Sequence, residues 1–139
     1  MTEDAPYVLD EQIGYLLRRV TQRHLAIFSE AIPAVTAMQF AALARLAEIG
    51  PMSQNRLGRA TSMDAATIKG VVDRLVRQGL VETVPDPDDR RRLTVTLSDS
   101  GRALFEATKD TALEVSDRTL VPLSPRERAR LVALLSRLA

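Results

Sequence analysis

Apolar residues recur at helical spacing along most of this chain. A first helix over about residues 10 to 31 is predicted by spacings of three and four between Ile13, Leu17, Val20, His24, Ile27 and Ala31. Pro33 ends it, and Thr36 with Gln39 three residues later is a capping-box start for a second helix. Gly50 followed by proline ends that helix in turn. These features predict a mainly α-helical chain.

Two shorter helices follow with a tight turn between them. Ser53 can cap a third helix that carries Leu57, and Asp64 can cap a fourth after a break at residues 61–64. A buried stripe is predicted in the fourth helix at Ile68, Val71, Val72 and Leu75. This order of helix, turn and helix is typical of a helix-turn-helix.

A β-hairpin is predicted next, because apolar and hydroxyl side chains alternate in residues 93–97 and residues 80–84 lead into the same turn. Pro85 and Pro87 have no N–H to donate, so pairing should stop near them and the loop should project. Its tip, from Asp86 to Arg92, carries three adjacent arginines. A helix followed by a ribbon with a basic tip is the layout of a winged helix-turn-helix.

The chain ends in two further helices. Ser98 opens a long one that should fade near Thr119, and Ser124 with Glu127 in capping-box register opens the last. The terminal helices are too long and too apolar for a winged domain to cover alone, so we expect a two-fold homodimer. Within a single domain over 1–139, we expect dimerisation helices at 8–32 and 99–139 and the winged helix-turn-helix at 36–98.

Composition excludes several mechanisms. The 139 residues include no cysteine and one histidine, which leaves no disulfide and no thiolate metal site, and we predict neither a metal nor a cofactor. Without a glycine-rich phosphate loop or a recognisable carboxylate pair, an enzyme is not expected. An acidic start and the lack of an apolar run of roughly 18 residues predict a cytoplasmic protein without a membrane span.

The net charge is only +1, so binding to nucleic acid must depend on where the arginines lie. A major groove admits one α-helix, small residues on that helix permit close approach, and a basic wing can reach the adjacent minor groove. We expect the DNA-binding residues to be Ser53, Gln54, Asn55, Arg56, Ala65, Thr67, Lys69, Gly70, Arg74, Arg77, Asp89, Arg90, Arg91 and Arg92. An aspartate beside such an arginine can brace it by a bidentate hydrogen bond. A winged-helix protein-interaction module without DNA binding stays open as the alternative.

From the first helix to Leu138 the chain resembles the MarR family of winged-helix regulators. The resemblance lies in Asp73-Arg74-Leu75, Gly79-Leu80-Val81, Asp86-Pro87-Asp88-Asp89-Arg90-Arg91-Arg92 and Leu97-Ser98-Asp99-Ser100-Gly101. It implies an obligate homodimer and a recognition helix at about residues 64 to 78. It also implies that Arg91 enters the minor groove and that Asp89 braces the wing. Ser98 stands where the family more often has threonine, which preserves the cap.

Residues 9–18 and 63–72 are similar to regulators of aromatic-acid catabolism, which implies an aromatic acid or its CoA thioester as effector. In the family an effector often sits between the dimerisation helices and the winged domain, which makes Tyr15, Arg19, His24 and Gln39 the candidates. A lone histidine in a helical stripe is more often structural than a ligand group. The expected function is a homodimeric repressor released from a palindromic operator by a small molecule, through respacing of its recognition helices or direct occlusion.

Overall fold

The computed structural model describes residues 4–139 and is mainly helical with a small antiparallel sheet. The helices are α1 Ile13–Ala31, α2 Ala37–Ile49, α3 Gln54–Ala60, α4 Ala65–Arg77, α5 Asp99–Leu120 and α6 Pro125–Leu138, and the strands are β1 Met52–Ser53, β2 Val81–Pro85 and β3 Leu93–Leu97. Every predicted helix and both predicted strands are present. The first helix begins later than expected, because a 3₁₀ turn at Leu9–Glu11 is followed by an extended Gln12.

Local capping explains where the helices begin. Thr36 and Gln39 form the predicted capping box, and each side chain accepts a backbone N–H of the other residue. The predicted caps at Ser53, Asp64 and Ser98 are confirmed as well, since each side chain accepts the N–H three residues later. These bonds satisfy N–H groups that a helix cannot pair internally. A second capping box, at residues 124–127, starts α6.

The sheet contains one strand that the sequence pattern did not predict. The β2–β3 hairpin pairs from Val81 with Leu97 to Pro85 with Leu93, so the ladder stops at the first proline as expected. In addition, β1 pairs with β3 and places Met52 opposite Val95, and both residues are almost fully buried. This short strand joins the start of α3 to the middle of the hairpin.

The core lies between the helix-turn-helix and the sheet. The four residues of the predicted α4 stripe are at most 3% exposed, and they pack in one cluster with residues of α2, α3 and the sheet. Phe28 of α1, Phe40 of α2 and Phe105 of α5 form a chain of rings with centroids 5.8 and 5.5 Å apart. Edge-on and tilted ring pairs are favourable at such distances. The aromatic chain therefore joins the winged domain to the long helices.

The helices at the two ends leave much apolar surface uncovered within one subunit. α6 has no buried residue, and Leu138 is 76% exposed. In the first half of α1, Ile13 is 63% exposed and Val20 51%. None of the helices in residues 4–139 combines the length and the apolar character needed to cross a membrane.

The end of α4, the start of β2 and the start of α5 meet at one joint. Leu80 O accepts the backbone N–H of Ser98 at 3.1 Å, and the Ser98 hydroxyl donates to Gly79 O at 2.6 Å. Gly101 lies directly against Leu80, so that a Cβ at this position would clash with the Leu80 carbonyl group. Glycine is required here by close approach of two backbones.

We predict that Gly101→Ala lowers the free energy of unfolding by about 3 kcal/mol, the upper end of the usual cost of overpacking. The cause is the clash with backbone rather than with a flexible side chain. Denaturant unfolding of the variant and the parent measures the difference. Gly70→Ala is the matched control, since no atom lies within 4 Å of its added Cβ, and it should keep or raise stability. Equal effects of the two substitutions would contradict the packing at Leu80.

A pH dependence is predicted at the start of α4. The pKa of Asp64 is lowered, chiefly because its carboxylate accepts the backbone N–H of Thr67 at 2.7 Å. A carboxyl group with a lower pKa when folded stabilises above its unfolded pKa, and this stabilisation is lost as pH falls through the folded pKa. We expect wild type to lose more thermal stability than Asp64→Asn between pH 7 and pH 3, because asparagine caps without a charge. Parallel losses would show that the carboxylate adds nothing.

Candidate nucleic-acid interface

The two helices of the helix-turn-helix cross closely. A Cβ on Gly58 of α3 would lie 3.0 Å from a methyl group of Ile68 and 3.2 Å from Met63 O. The turn between the helices is closed by a 2.8 Å bond from the N–H of Met63 to Gly58 O, and Ser62 adopts a left-handed φ of 57°. This contact fixes the angle at which α4 leaves the domain.

The outward face of α4 begins with small residues and continues with basic ones. On the first turn Ala65 is exposed and Thr67 is half-buried. One turn further, no atom lies within 4 Å of the place that a Cβ on Gly70 would occupy. A glycine inside a helix costs about 1 kcal/mol relative to alanine. Since an added Cβ would meet no neighbour, packing within the chain does not require that glycine. Arg74 and Arg77 lie in the last turns and are exposed.

Lys69 makes an ion pair that the sequence analysis missed. Its Nζ lies 2.9 Å from Asp73 Oδ2, one turn along α4, and both side chains are more than half exposed. An exposed pair of this kind contributes little to stability. Lys69 can therefore leave Asp73 for a phosphate or a base at small cost. The spacing of four residues was the available signal.

The wing tip is held by two aspartates. Asp86 Oδ1 accepts the N–H groups of Asp88 at 2.8 Å and Asp89 at 3.3 Å. The backbone closes around them, since the N–H of Asp86 donates to Arg92 O and the N–H of Arg92 to Asp89 O, each at 2.9 Å. These bonds make a compact turn in which Arg90, Arg91 and Arg92 are all exposed.

Asp89 contacts Arg91, but in a different way from the bidentate brace expected. One carboxylate oxygen, Oδ1, accepts both the backbone N–H of Arg91 at 3.0 Å and its Nε–H at 3.3 Å. The Arg91 side chain is 93% exposed.

The start of α3 lies beside the end of β3 that is nearest the wing tip. Pairing of Ser53 with Thr94 brings the predicted contact residues of both elements together. They border a crevice of ≈ 100 Å³, lined by Ser53, Gln54, Asn55, Arg91, Arg92 and Leu93. Ser53 Oγ is engaged as the cap of α3, where it accepts the N–H of Arg56 at 3.2 Å. The predicted DNA-binding residues thus come from three adjoining elements: α3, α4 and the wing.

The predicted effector residues do not converge in one place within the subunit. The guanidinium carbons of Arg18 and Arg19 lie 5.6 and 5.8 Å from the centre of the Tyr15 ring, and Tyr15 and Arg18 border an open groove of ≈ 370 Å³ at the start of α1. His24 lies nine residues after Tyr15, which at about 100° per residue puts it on the opposite face of the helix.

His24 is half-buried and bonded to α5. Its Nδ1 lies 2.8 Å from Thr119 Oγ1, and this hydroxyl lies 2.9 Å from Val115 O. A hydroxyl has one proton, which goes to the carbonyl oxygen, so we assign the Nδ1 proton to the bond with Thr119. In the neutral ring, Nε2 is then an acceptor.

Gln39 is almost fully buried at the start of α2. It is only 5% exposed, and its side-chain oxygen accepts the N–H of Thr36 in the capping box. That oxygen is engaged at the helix start, and a role of Gln39 toward an effector stays a prediction.

Comparisons with known proteins agree with this architecture. Residues 35–92 match the family model described as MarR family. The chain is 41% identical to the HTH-type transcriptional repressor NicR of Pseudomonas putida over 98% of this chain and 87% of that protein. A probable transcriptional regulator from Pseudomonas aeruginosa has a crystal structure with TM-score 0.91 and 52% identity, covering 95% of this chain and 100% of the other.

A third relative is BpsR of Bordetella bronchiseptica, whose structure concerns the regulation of its DNA binding by 6-hydroxynicotinic acid. It has TM-score 0.91 and 42% identity, covering 96% of this chain and 97% of BpsR. NicR and the Pseudomonas aeruginosa protein are described as transcriptional regulators, and the latter and BpsR share the fold of this chain. On the extent of these matches, the chain belongs to the MarR family of transcriptional regulators.

Proposed function

We propose that this protein is a homodimeric, sequence-specific DNA-binding repressor that a small aromatic acid releases from a palindromic operator. In this proposal residues 36–98 bind DNA, and residues 8–32 and 99–139 form the dimer. α4 enters the major groove, and the wing reaches the adjacent minor groove. An effector acts by favouring a dimer whose recognition helices no longer match half-sites about 34 Å apart.

The observation that carries the proposal is the wing tip. Asp86 and Asp89 satisfy backbone N–H groups of the loop, and Asp89 also holds the Nε–H of Arg91. An arginine directed outward from a preformed turn loses less entropy on binding than one on a flexible loop. Narrow minor grooves attract arginine in particular because their negative potential is deepest.

The uncovered apolar surface supports the dimer. Leu134, Leu135 and Leu138 of α6 are between 38% and 76% exposed, and they lie in a helix without a buried residue. Contiguous apolar surface of this kind marks interaction sites. A second copy can cover it together with the exposed residues of α1, as in other two-fold assemblies.

Two groups of residues are candidates for the effector site. His24 offers Nε2 as an acceptor for a ring hydroxyl or a protonated ring nitrogen, while Arg19 beside Tyr15 offers a guanidinium for a carboxylate. An aromatic acid with a ring hydroxyl has a functional group suited to either candidate, and because the two lie on opposite faces of α1, one molecule would occupy only one of them within a subunit. The regulation of BpsR by 6-hydroxynicotinic acid supports this class of effector and supplies the first compound to test.

We expect Arg91→Ala to weaken operator binding about tenfold or more, without loss of folding or dimerisation, and to reduce the slope of log affinity against log salt by about 1. The operator is identified by sequencing DNA fragments that co-purify with the protein. Fluorescence anisotropy at several salt concentrations then gives both quantities.

Arg126→Ala is the matched control, because it removes the same charge from α6, away from the wing. It should leave affinity nearly unchanged. A wild-type protein with no salt-dependent affinity for any duplex would refute DNA binding and favour the protein-interaction module. Equal losses for the two variants would refute only the role of the wing.

For the effector, His24→Ala should raise the concentration of 6-hydroxynicotinic acid needed to release the operator by about tenfold, the effect of losing one hydrogen bond of roughly 1.4 kcal/mol. Arg19→Met tests the second candidate group in the same way. Gln22→Ala, an exposed neighbour on α1, is the control. Unchanged release and unchanged ligand affinity, by titration calorimetry, in both test variants would exclude these groups as the site.

A further inference from the structure

The turn between α5 and α6 is held by an arginine from α1. Arg23 Nη1 donates to Thr119 O at 2.6 Å, and Nη2 donates to Arg118 O at 2.8 Å and to Val121 O at 3.4 Å. All three acceptors are carbonyls at the end of α5 or just beyond it. A cation at this position also interacts favourably with the negative end of the helix dipole.

A second arginine holds the same turn from the other side. Arg128 of α6 is partly buried, and its Nε donates to Leu123 O at 2.9 Å while Nη1 lies 3.5 Å from Asp117. Arg23 thus binds carbonyls that the end of α5 leaves unpaired, and Arg128 binds a carbonyl of the loop that follows. We call these contacts of Arg23 and Arg128 with residues 117–123 the arginine clasp.

The clasp matters because little else directs α6. That helix has no buried residue, so packing within the subunit does not fix its orientation. Its direction therefore depends on the turn from which it emerges. Arg128 is part of α6, so its bond cannot fix α6 relative to the rest of the subunit. Arg23 is part of α1, so its bonds attach the turn to another helix.

We infer that Arg23 is a positioning residue that sets the direction of α6 and through it the spacing of the two recognition helices in the dimer. This inference rests on the proposed function for the dimer and the operator. It also places the effector candidate His24 on the same element, since His24 and Arg23 both bond to Thr119. A change at His24 therefore reaches the turn that Arg23 holds.

The first test works within one subunit. In Arg23→Met, which keeps an unbranched apolar stem but no donor, we expect amide hydrogen exchange of residues 118–124 to accelerate at least tenfold while that of α2 stays unchanged. Arg23→Lys should fall between, because an ammonium can replace some of the bonds but not the planar fork. Exchange that rises equally in both segments would overturn the inference, since it would mark a general loss of stability.

The second test measures the dimer. Because the chain has no cysteine, Ala66→Cys gives one spin label per subunit near the start of each α4. We expect Arg23→Met to broaden or shift the label-to-label distance and, in the unlabelled protein, to weaken operator binding at least tenfold. Arg126→Met, with the same loss of charge on the first turn of α6, should change neither.

The outcomes separate the two proposals. An Arg23→Met dimer with the wild-type distance and wild-type operator affinity would overturn the role of Arg23 and leave the proposed function intact. A wild-type protein that gives no distance between labels, or that binds no operator, would refute the proposed function, while the exchange experiment still decides whether Arg23 holds the turn. If Arg23→Met does not fold, Arg23→Lys carries both measurements.

Discussion

The position of α4 relative to α5 depends on the carbonyl group of Leu80. This group receives the N–H of Ser98 and packs directly against Gly101, so the end of α4, the first residue before β2 and the start of α5 share one contact. This contact therefore fixes where α5 begins relative to the end of α4 and the start of the hairpin.

The surface that faces DNA in our proposal is ordered by bonds within the protein rather than by the partner. Asp64 caps α4, Ser53 caps α3, and Asp86 closes the wing turn. Each of these side chains fixes the backbone near it. Side chains that remain free to reach outward, such as Arg91, are therefore carried on a rigid frame, which is the usual condition for specific recognition.

Features that depend on residues a few positions apart were predictable from the sequence. The caps, the α4 stripe and the hairpin all follow from spacing, and the structure confirms them. β1 was not predictable, because two residues carry no periodicity and their partner strand is distant in the chain. The capping role of Gln39 depends on a residue three positions away and was predictable, and the structure confirms it. The contact between His24 and Thr119 required the packing of α1 on α5, which no local pattern reveals.

The empty space around Gly70 has a consequence beyond affinity for one operator. Because outward positions on α4 such as Gly70 and Ala66 are not needed for the core, new side chains can be introduced there without rebuilding the domain. The fold and the DNA sequence that it reads are in this sense separable. A duplicated gene with this architecture can acquire a new target through a few exchanges on one helix, while its stability and its assembly are inherited unchanged.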